Sequence, residues 1–224
     1  MTTLTMEAGA ATSLQMTIES GEVNITGNPG GSQITLSYGY FAGQQEVLQD
    51  RSMDPELRAN GPSAIVLRQT PDQAGRARQV NAHIRLRLGI PALMSLAQSR
   101  MESATLSVNG INGVDLAMKS GTLDAAGNSG LYVLTVTSGT VRVADPAMDF
   151  HHQITVQAGT IVLAAGVLLP LVTAEVEQGV IQGGQGGRLE QLGVSGWKLT
   201  PIHPDPRSSV ECRVVSGSIV IRQA

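Results

Sequence analysis

Two acidic side chains in the stretch AEVEQG are the best candidates for acid–base chemistry. Glu175 and Glu177 alternate with apolar residues, so on a strand they would share one face, about 7 Å apart. Paired carboxyl groups roughly 5–10 Å apart cleave glycosidic bonds in many hydrolases. Asp115 and Asp124 are not repeated at equivalent positions in neighbouring segments of the chain. An ordinary solvated strand face explains Glu175 and Glu177 more simply than a catalytic pair. We therefore predict no catalytic residues and no enzymatic activity.

Three of the four histidines and the single cysteine are the candidates for metal chemistry. His151 and His152 are adjacent, and neighbours on a strand point to opposite faces, so the two cannot easily bind one ion. His203 stands between prolines without a partner at a ligand spacing. Cys212 falls at an inward position, where a thiol behaves as a small apolar side chain. The sequence predicts no metal site and no cofactor.

The aromatic side chains could form a binding surface, although only 3% of the residues are aromatic. Tyr38, Tyr40 and Phe41 stand together in the stretch YGYF, and Trp197 is isolated. Aromatic rings stack on sugars and nucleic-acid bases, but the same rings could fill one end of a core. Their scarcity argues against an extended carbohydrate groove, and both interpretations stay open at this point.

Charge and hydropathy exclude several classes of partner. A formal net charge of −3 provides no basic field for nucleic acid or an anionic membrane. The five arginines within 76–100 are interpreted as an ordinary polar strand face and loop. The apolar run 161–174 is too short for a membrane helix. Without a secretory signal, the sequence predicts a cytoplasmic protein with no membrane insertion, or a cell-surface protein if an export signal has been removed.

A glycine-centred repeat must position all of these side chains. From Gly121 the repeated glycines follow at intervals of 18, 20, 20 and 38 residues. The last interval is about twice the others, and a degenerate copy at 192–199 fills the gap. Six segments share the pattern: MTIESGEVNI (16–25), LAMKSGTLDA (116–125), LTVTSGTVRV (134–143), ITVQAGTIVL (154–163), AEVEQGVIQG (174–183) and CRVVSGSIVI (212–221).

Three columns of this alignment are always apolar, at five and three residues before the glycine and two after it. Each segment therefore predicts two short strands with one buried face, joined at a glycine corner. Stacked copies would bury a continuous core, so we predict an all-β fold, a β-solenoid of 18–20-residue coils. Asp124 and Arg142 share a column on consecutive coils, which would let them pair. A β-sandwich of hairpins competes, but only 108–116 offers the Asn-Gly turn it needs.

The chain is predicted to be one domain, 1–224, with irregular coils or a cap over 1–103 and regular coils over 104–224. Alternation in 79–89 indicates a strand, and 92–100 could be a short helix or a wide turn. Four segments are predicted as polar loops, of which the last contains three prolines that exclude regular strand pairing: residues 49–62, 70–79, 183–187 and 200–209.

The run IRLRLGIPALMSLAQSRMESATLSVNGINGVDLAMKSGTLDAAGNSGLYVLTVTSGTVRVA (84–144) resembles the bacterial putative-adhesin β-solenoid domain of unknown function. The resemblance covers 79–221, with 16–27 as an outlying copy. Bactofilins, which are polymer-forming solenoids, look similar but are shorter and more uniform. The resemblance implies a structural or adhesive interaction module without established catalytic residues. A carbohydrate-binding or carbohydrate-active protein is the alternative.

The end of the chain suggests how such a module could associate. The strand SIVIRQA (218–224) stops at the last residue, and an uncovered end coil is an unpaired edge that invites another chain. We therefore predict self-association, or binding of a protein partner, through the solenoid ends, with a glycan as another partner. The candidate interaction residues are Tyr38, Tyr40, Phe41, Trp197, Ile219 and Ile221.

Overall fold

Alternating apolar residues organise nearly the whole chain into strands. The computed structural model describes residues 1–48, 53–165, 170–183, 187–192, 196–201 and 205–223. It is all-β, as predicted, and its strands form a single 15-stranded sheet with one helix in the described part. The elements are β1 (Thr2–Glu7), β2 (Ser13–Asn28), β3 (Gln33–Ala42), β4 (Gln45–Leu48), β5 (Glu56–Ala59), β6 (Ala64–Arg68), α1 (Pro71–Gln79), β7 (His83–Pro91), β8 (Ser95–Asn109), β9 (Val114–Ala126), β10 (Tyr132–Ala144), β11 (His151–Ala165), β12 (Pro170–Gln182), β13 (Gly187–Leu192), β14 (Gly196–Pro201) and β15 (Asp205–Gln223).

The repeated segments stack as parallel strands in register. β8, β9, β10 and β11 follow one another in chain order, and Gly121, Gly139 and Gly159 lie side by side. Each segment is one continuous strand through its glycine, rather than the two short strands predicted. Asp124 pairs with Arg142 at 3.1 Å across β9 and β10, which confirms the pairing that the shared column allowed.

The three apolar columns form the core. Seventeen of their eighteen side chains are buried, and Ile181 in β12 is partly buried. Burial of one such side chain stabilises the fold by about 1.5–3 kcal/mol. Cys212 belongs to this set, with 1% of its surface exposed, and burial raises the pKa of its thiol to about 12. The thiol is therefore protonated and shielded, as its inward position predicted.

The order of the last strands differs from the prediction. β15 does not follow β12 at the end of the stack but lies between β11 and β12, parallel to both. β15 matches β11 column for column, with Gly159 beside Gly217 and Ile161 beside Ile219, so it fits this place as well as β12 would. The predicted degenerate copy at 192–199 is wrong in its described part, where β13 and β14 form an antiparallel pair.

The N-terminal end of the stack is finished by antiparallel strands. β2 pairs in parallel with β8, and on its other side with β6 and β7. β3 and β1 then add antiparallel strands over β7, and β5 adds one over β6. These strands supply the atypical end that a stacked repeat needs to close its core.

One helix replaces a predicted loop. α1 lies within 70–79 and begins at a capping box, in which Thr70 and Gln73 satisfy each other's backbone N–H groups. Pro71 stands in the first turn, where its missing N–H is no disadvantage. Residues 92–94 lie outside regular structure and β8 begins at Ser95, so 92–100 contains a turn and not a helix. No helix in the described ranges has the length and apolar character needed to cross a membrane.

Candidate interaction site

The two tyrosines of the YGYF stretch lie in the core. Tyr38 and Tyr40 belong to β3 and are 3% and 1% exposed, facing Leu86 and Ile84 of β7 in register. Burial raises the pKa of each hydroxyl to about 12, so both are neutral near pH 7. Their rings fill one end of the core and present almost no face for stacking on a ligand.

The other two predicted aromatic residues are far apart in the sheet. Phe41 is half-buried at the end of β3, and the Arg85 guanidinium lies 4.5 Å from its ring centroid, so a side chain of the same molecule covers the ring. Trp197 is half-buried in β14, opposite Ala174. Because β3 and β14 lie near opposite ends of the strand order, the four aromatic residues do not converge on one surface.

The predicted open edge at the C-terminal strand is wrong. Ile219 and Ile221 are 0% and 4% exposed, and β15 is hydrogen-bonded to β11 on one side and β12 on the other. A strand with two neighbours has no free row of backbone groups. These two isoleucines therefore pack in the core and do not form a surface.

Among the repeated strands the open edge belongs to β12 instead; the outer strands β1, β4, β5 and β13 also have one described partner each. β14 pairs with β12 only over Val172–Glu175, and no strand in the described part of the chain covers Val176–Gln182 on the side away from β15. We call Val176–Gln182 the open arm. Val180 on this arm is 54% exposed, the highest exposure of any large apolar residue on a described strand.

The two candidate carboxylates share one cation. The Arg213 guanidinium lies 2.9 Å from Glu177 and 3.8 Å from Glu175, and these contacts raise the pKa of the arginine, chiefly through the hydrogen bond that it donates to Glu177. The three side chains are exposed on neighbouring strands β12 and β15. The arrangement is a surface ion-pair network, which contributes little to stability when solvated.

The adjacent histidines point to opposite faces of β11, as strand geometry requires. His151 is exposed, and its Nδ1 lies 2.8 Å from Ser209 Oγ. His152 is buried; its Nδ1 accepts the Tyr132 N–H at 3.1 Å and its Nε2 lies 2.7 Å from the Ala147 carbonyl oxygen. Since a carbonyl only accepts, His152 is the neutral tautomer with its proton on Nε2. Within the ranges described above, no three potential ligands cluster as a metal site.

We expect His152 to make stability fall in mild acid. Burial lowers its pKa in the folded state, whereas the unfolded chain takes up a proton near pH 6.5. The contribution of His152 is therefore complete above about pH 6.5 and is lost as the pH falls through its folded-state pKa. Chemical unfolding at pH 7.5, about one unit above the unfolded pKa, and at pH 5, below it, should show this loss. The loss of unfolding free energy between pH 7.5 and pH 5 should be smaller in His152→Asn than in wild type and unchanged in His151→Asn. Equal losses in the two variants would contradict the assignment.

A polar groove crosses the outer faces of β6, β2, β8, β9 and β10, and the sequence did not predict it. It arises at a bulge, where β8 has one more residue than either neighbour between Leu96 and Arg100. Gln98 at the bulge has φ +49°, an uncommon conformation for a residue other than glycine. The sequence signal was the extra residue before the corner, where Ala104 also replaces the usual glycine.

The groove has a volume of about 610 Å³. Among the described lining residues the charged ones are Arg100 and Asp115, both exposed, on neighbouring strands β8 and β9. The polar walls also contain the amide and hydroxyl side chains of Gln15, Thr17, Gln98 and Thr135. The aliphatic residues Val66, Leu116 and Ala117 complete the lining together with Ser99. No aromatic ring takes part.

Comparison with known proteins gives a likeness of fold. No family model matches the chain, and no curated protein matches it. A solved structure described as a putative cell adhesion protein from Clostridium sporogenes is similar over 100% of this chain and 99% of its own, with a TM-score of 0.57 and 14% identity. A putative adhesin from Bacteroides fragilis aligns over 100% of this chain and 96% of its own, at a TM-score of 0.34 and 8% identity. The chain therefore shares the fold of the clostridial protein.

Proposed function

We propose that this chain is a non-enzymatic, adhesin-like interaction module built as a β-solenoid, and that it self-associates through the open arm of β12. The in-register parallel strands with glycine beside glycine support the solenoid. The name of the clostridial protein with the same fold supports an adhesive role. The observation that carries the proposal is the unpaired edge at Val176–Gln182.

The ends of the stack are closed unequally. At the N-terminal end, antiparallel strands cover both β7 and β6. At the other end, β14 covers only the first part of β12. The open arm thus offers free backbone donors and acceptors beside the exposed Val180 and the partly buried Ile181, and such an edge templates pairing with another strand.

A second copy of the same chain fits this edge. At the corner the stacked strands approach so closely that a Cβ on Gly179 would lie 1.7 Å from the Gly217 carbonyl oxygen. That close approach is on the side of β12 that faces β15, and the outer edge of the open arm carries no described strand. Two-fold antiparallel pairing about Gly179 would set Glu177 opposite Ile181 of the other copy, so no like charges meet.

Val180→Lys is expected to weaken self-association. A lysine at the centre of the open arm places a charge where the second copy would pack, which is how natural edge strands avoid pairing. We expect the dissociation constant measured by sedimentation velocity to rise at least about tenfold. Leu93→Lys is the matched control, because Leu93 is 82% exposed in a turn away from this edge. A wild-type protein that stays monomeric at every concentration, or equal weakening by both variants, would disprove the interface.

Glycan binding is a second candidate function. The specific observation in its favour is the polar groove across β6, β2, β8, β9 and β10, whose hydrogen-bonding walls lie on a lateral face of the sheet. The buried Tyr38 and Tyr40 do not support it.

A further inference from the structure

We propose that the groove at the β8 bulge is a binding site for an acidic saccharide, a short chain of sugars that carry carboxylate groups. The site lies on the lateral face formed by β6, β2, β8, β9 and β10. It rests on the second candidate function, glycan binding at this groove, and names its ligand class; neither its residues nor its ligand involve the open arm of β12.

The bulge is held in place by specific side chains. Ser99, 1% exposed, accepts a hydrogen bond from the Met16 N–H at 2.9 Å and donates one to the Ala97 carbonyl oxygen at 3.3 Å. The Asp115 carboxylate accepts the Gln98 N–H at 3.2 Å. Two side chains on β8 and β9 thus satisfy backbone groups that the extra residue removes from the ladder. Bulges maintained in this way redirect side chains and are common beside binding sites.

The Arg100 guanidinium is available for a ligand. It forms no ion pair or hydrogen bond with any described residue, whereas Lys119, Arg142 and Arg213 on nearby strands each pair with a carboxylate. Its neighbours in register are Thr17 on β2 and Ala117 on β9. The small Ala117 side chain leaves space beside the guanidinium, whose planar fork suits a carboxylate bound by two parallel hydrogen bonds.

The remaining walls favour hydroxyl groups over a peptide. Gln15 and Gln98 offer amide donors and acceptors, Thr17 and Thr135 offer hydroxyls, and Asp115 offers carboxylate oxygens that only accept. A saccharide presents hydroxyl donors at short intervals and can satisfy these acceptors, and its own carboxylate can meet Arg100. An acidic peptide offers one backbone N–H donor per residue, fewer than the several hydroxyl groups of each sugar, to match these acceptors. Since the groove spans five strands spaced about 4.8 Å apart, β6, β2, β8, β9 and β10, it is about 19 Å long and suits a short oligosaccharide.

Titration calorimetry of the full chain with three probes tests the site. Trigalacturonic acid carries carboxylates and hydroxyls, maltotriose carries only hydroxyls, and triglutamate carries only carboxylates on a peptide. We expect the first probe to bind most tightly, by about tenfold or more over the other two. NMR shifts on addition of the first probe should centre on the amides of Gln98, Arg100 and Ala117.

Arg100→Gln is expected to weaken trigalacturonate binding about tenfold. Arg142→Gln removes the same charge from an arginine whose side chain is 54% exposed on β10, outside the groove, and should leave binding unchanged. The variants' NMR spectra report their folding separately. The proposal is overturned if trigalacturonate does not bind, if either other probe binds as well, or if both variants weaken binding equally. Self-association through β12 is measured by a different experiment and can survive or fail independently.

Discussion

Gly159→Ala should destabilise the protein by more than about 4 kcal/mol, an exceptional effect for one methyl group. Gly159 has φ +148°, and a Cβ there would lie 1.8 Å from the Gly139 carbonyl oxygen. The added carbon cannot move away, because the contact is with backbone on the adjacent strand. β10 and β11 would have to separate at the centre of the ladder, losing hydrogen bonds and core contacts together. Urea unfolding followed by circular dichroism measures the loss, which corresponds to a melting temperature about 10 °C lower.

Gly75→Ala provides the matched control with the opposite sign. Gly75 lies within α1, and a Cβ there would meet no atom within 4 Å. Alanine in a helix is more stable than glycine by about 0.5–1 kcal/mol, so this variant should be slightly more stable than wild type. If Gly159→Ala retained wild-type stability, the close approach of backbones at the glycine corner would be refuted.

The repeat pattern predicted the register of the stack because two constraints act on the same residues. Alternation decides which side chains face the core, and a slip of one residue would expose all of them. The glycine column then fixes the position along the strand, as Gly139 beside Gly159 shows. Together these constraints were enough to bring Asp124 to Arg142, although that exposed pair itself contributes little.

The order of the strands could not be predicted from the same columns. β12 and β15 carry equivalent apolar residues, so either could pack against β11. Sequence reasoning placed them in chain order because consecutive elements are usually neighbours. The helix α1 was missed for a different reason: its capping signal at Thr70 and Gln73 was present, but Gly75 and the polar composition were interpreted as a loop.

The candidate sites depended on this order and on a local irregularity. The unpaired edge lies on β12 and not on β15, because β15 is inserted between β11 and β12. The groove exists because one extra residue in β8 is accommodated by Ser99 and Asp115, which lie sixteen positions apart in the chain. The sequence showed Arg100 only as part of a basic stretch, because its lack of an ion-pair partner among the described residues depends on how the strands pack.

Ile219→Pro tests the inserted position of β15 directly. If β15 were an end strand, proline could be tolerated there and would affect only association. In the structure Ile219 is 0% exposed and β15 is bonded on both sides, so its N–H meets a neighbouring strand whichever way it points. Proline removes that donor and leaves a partly filled core position. We expect a loss of more than about 4 kcal/mol in the free energy of unfolding.

Ile181→Pro is the matched comparison, because Ile181 lies beside Ile219 in the same column. It is only partly buried, and its strand has a neighbour on one side alone along the open arm. The same substitution should therefore cost at least about 2 kcal/mol less than at Ile219. Equal losses at the two positions would contradict the one-sided pairing of the open arm, and a larger loss at Ile181 would place β12 inside the stack and β15 at its edge. That result would remove the basis for association through Val180 and return it to the C-terminal strand.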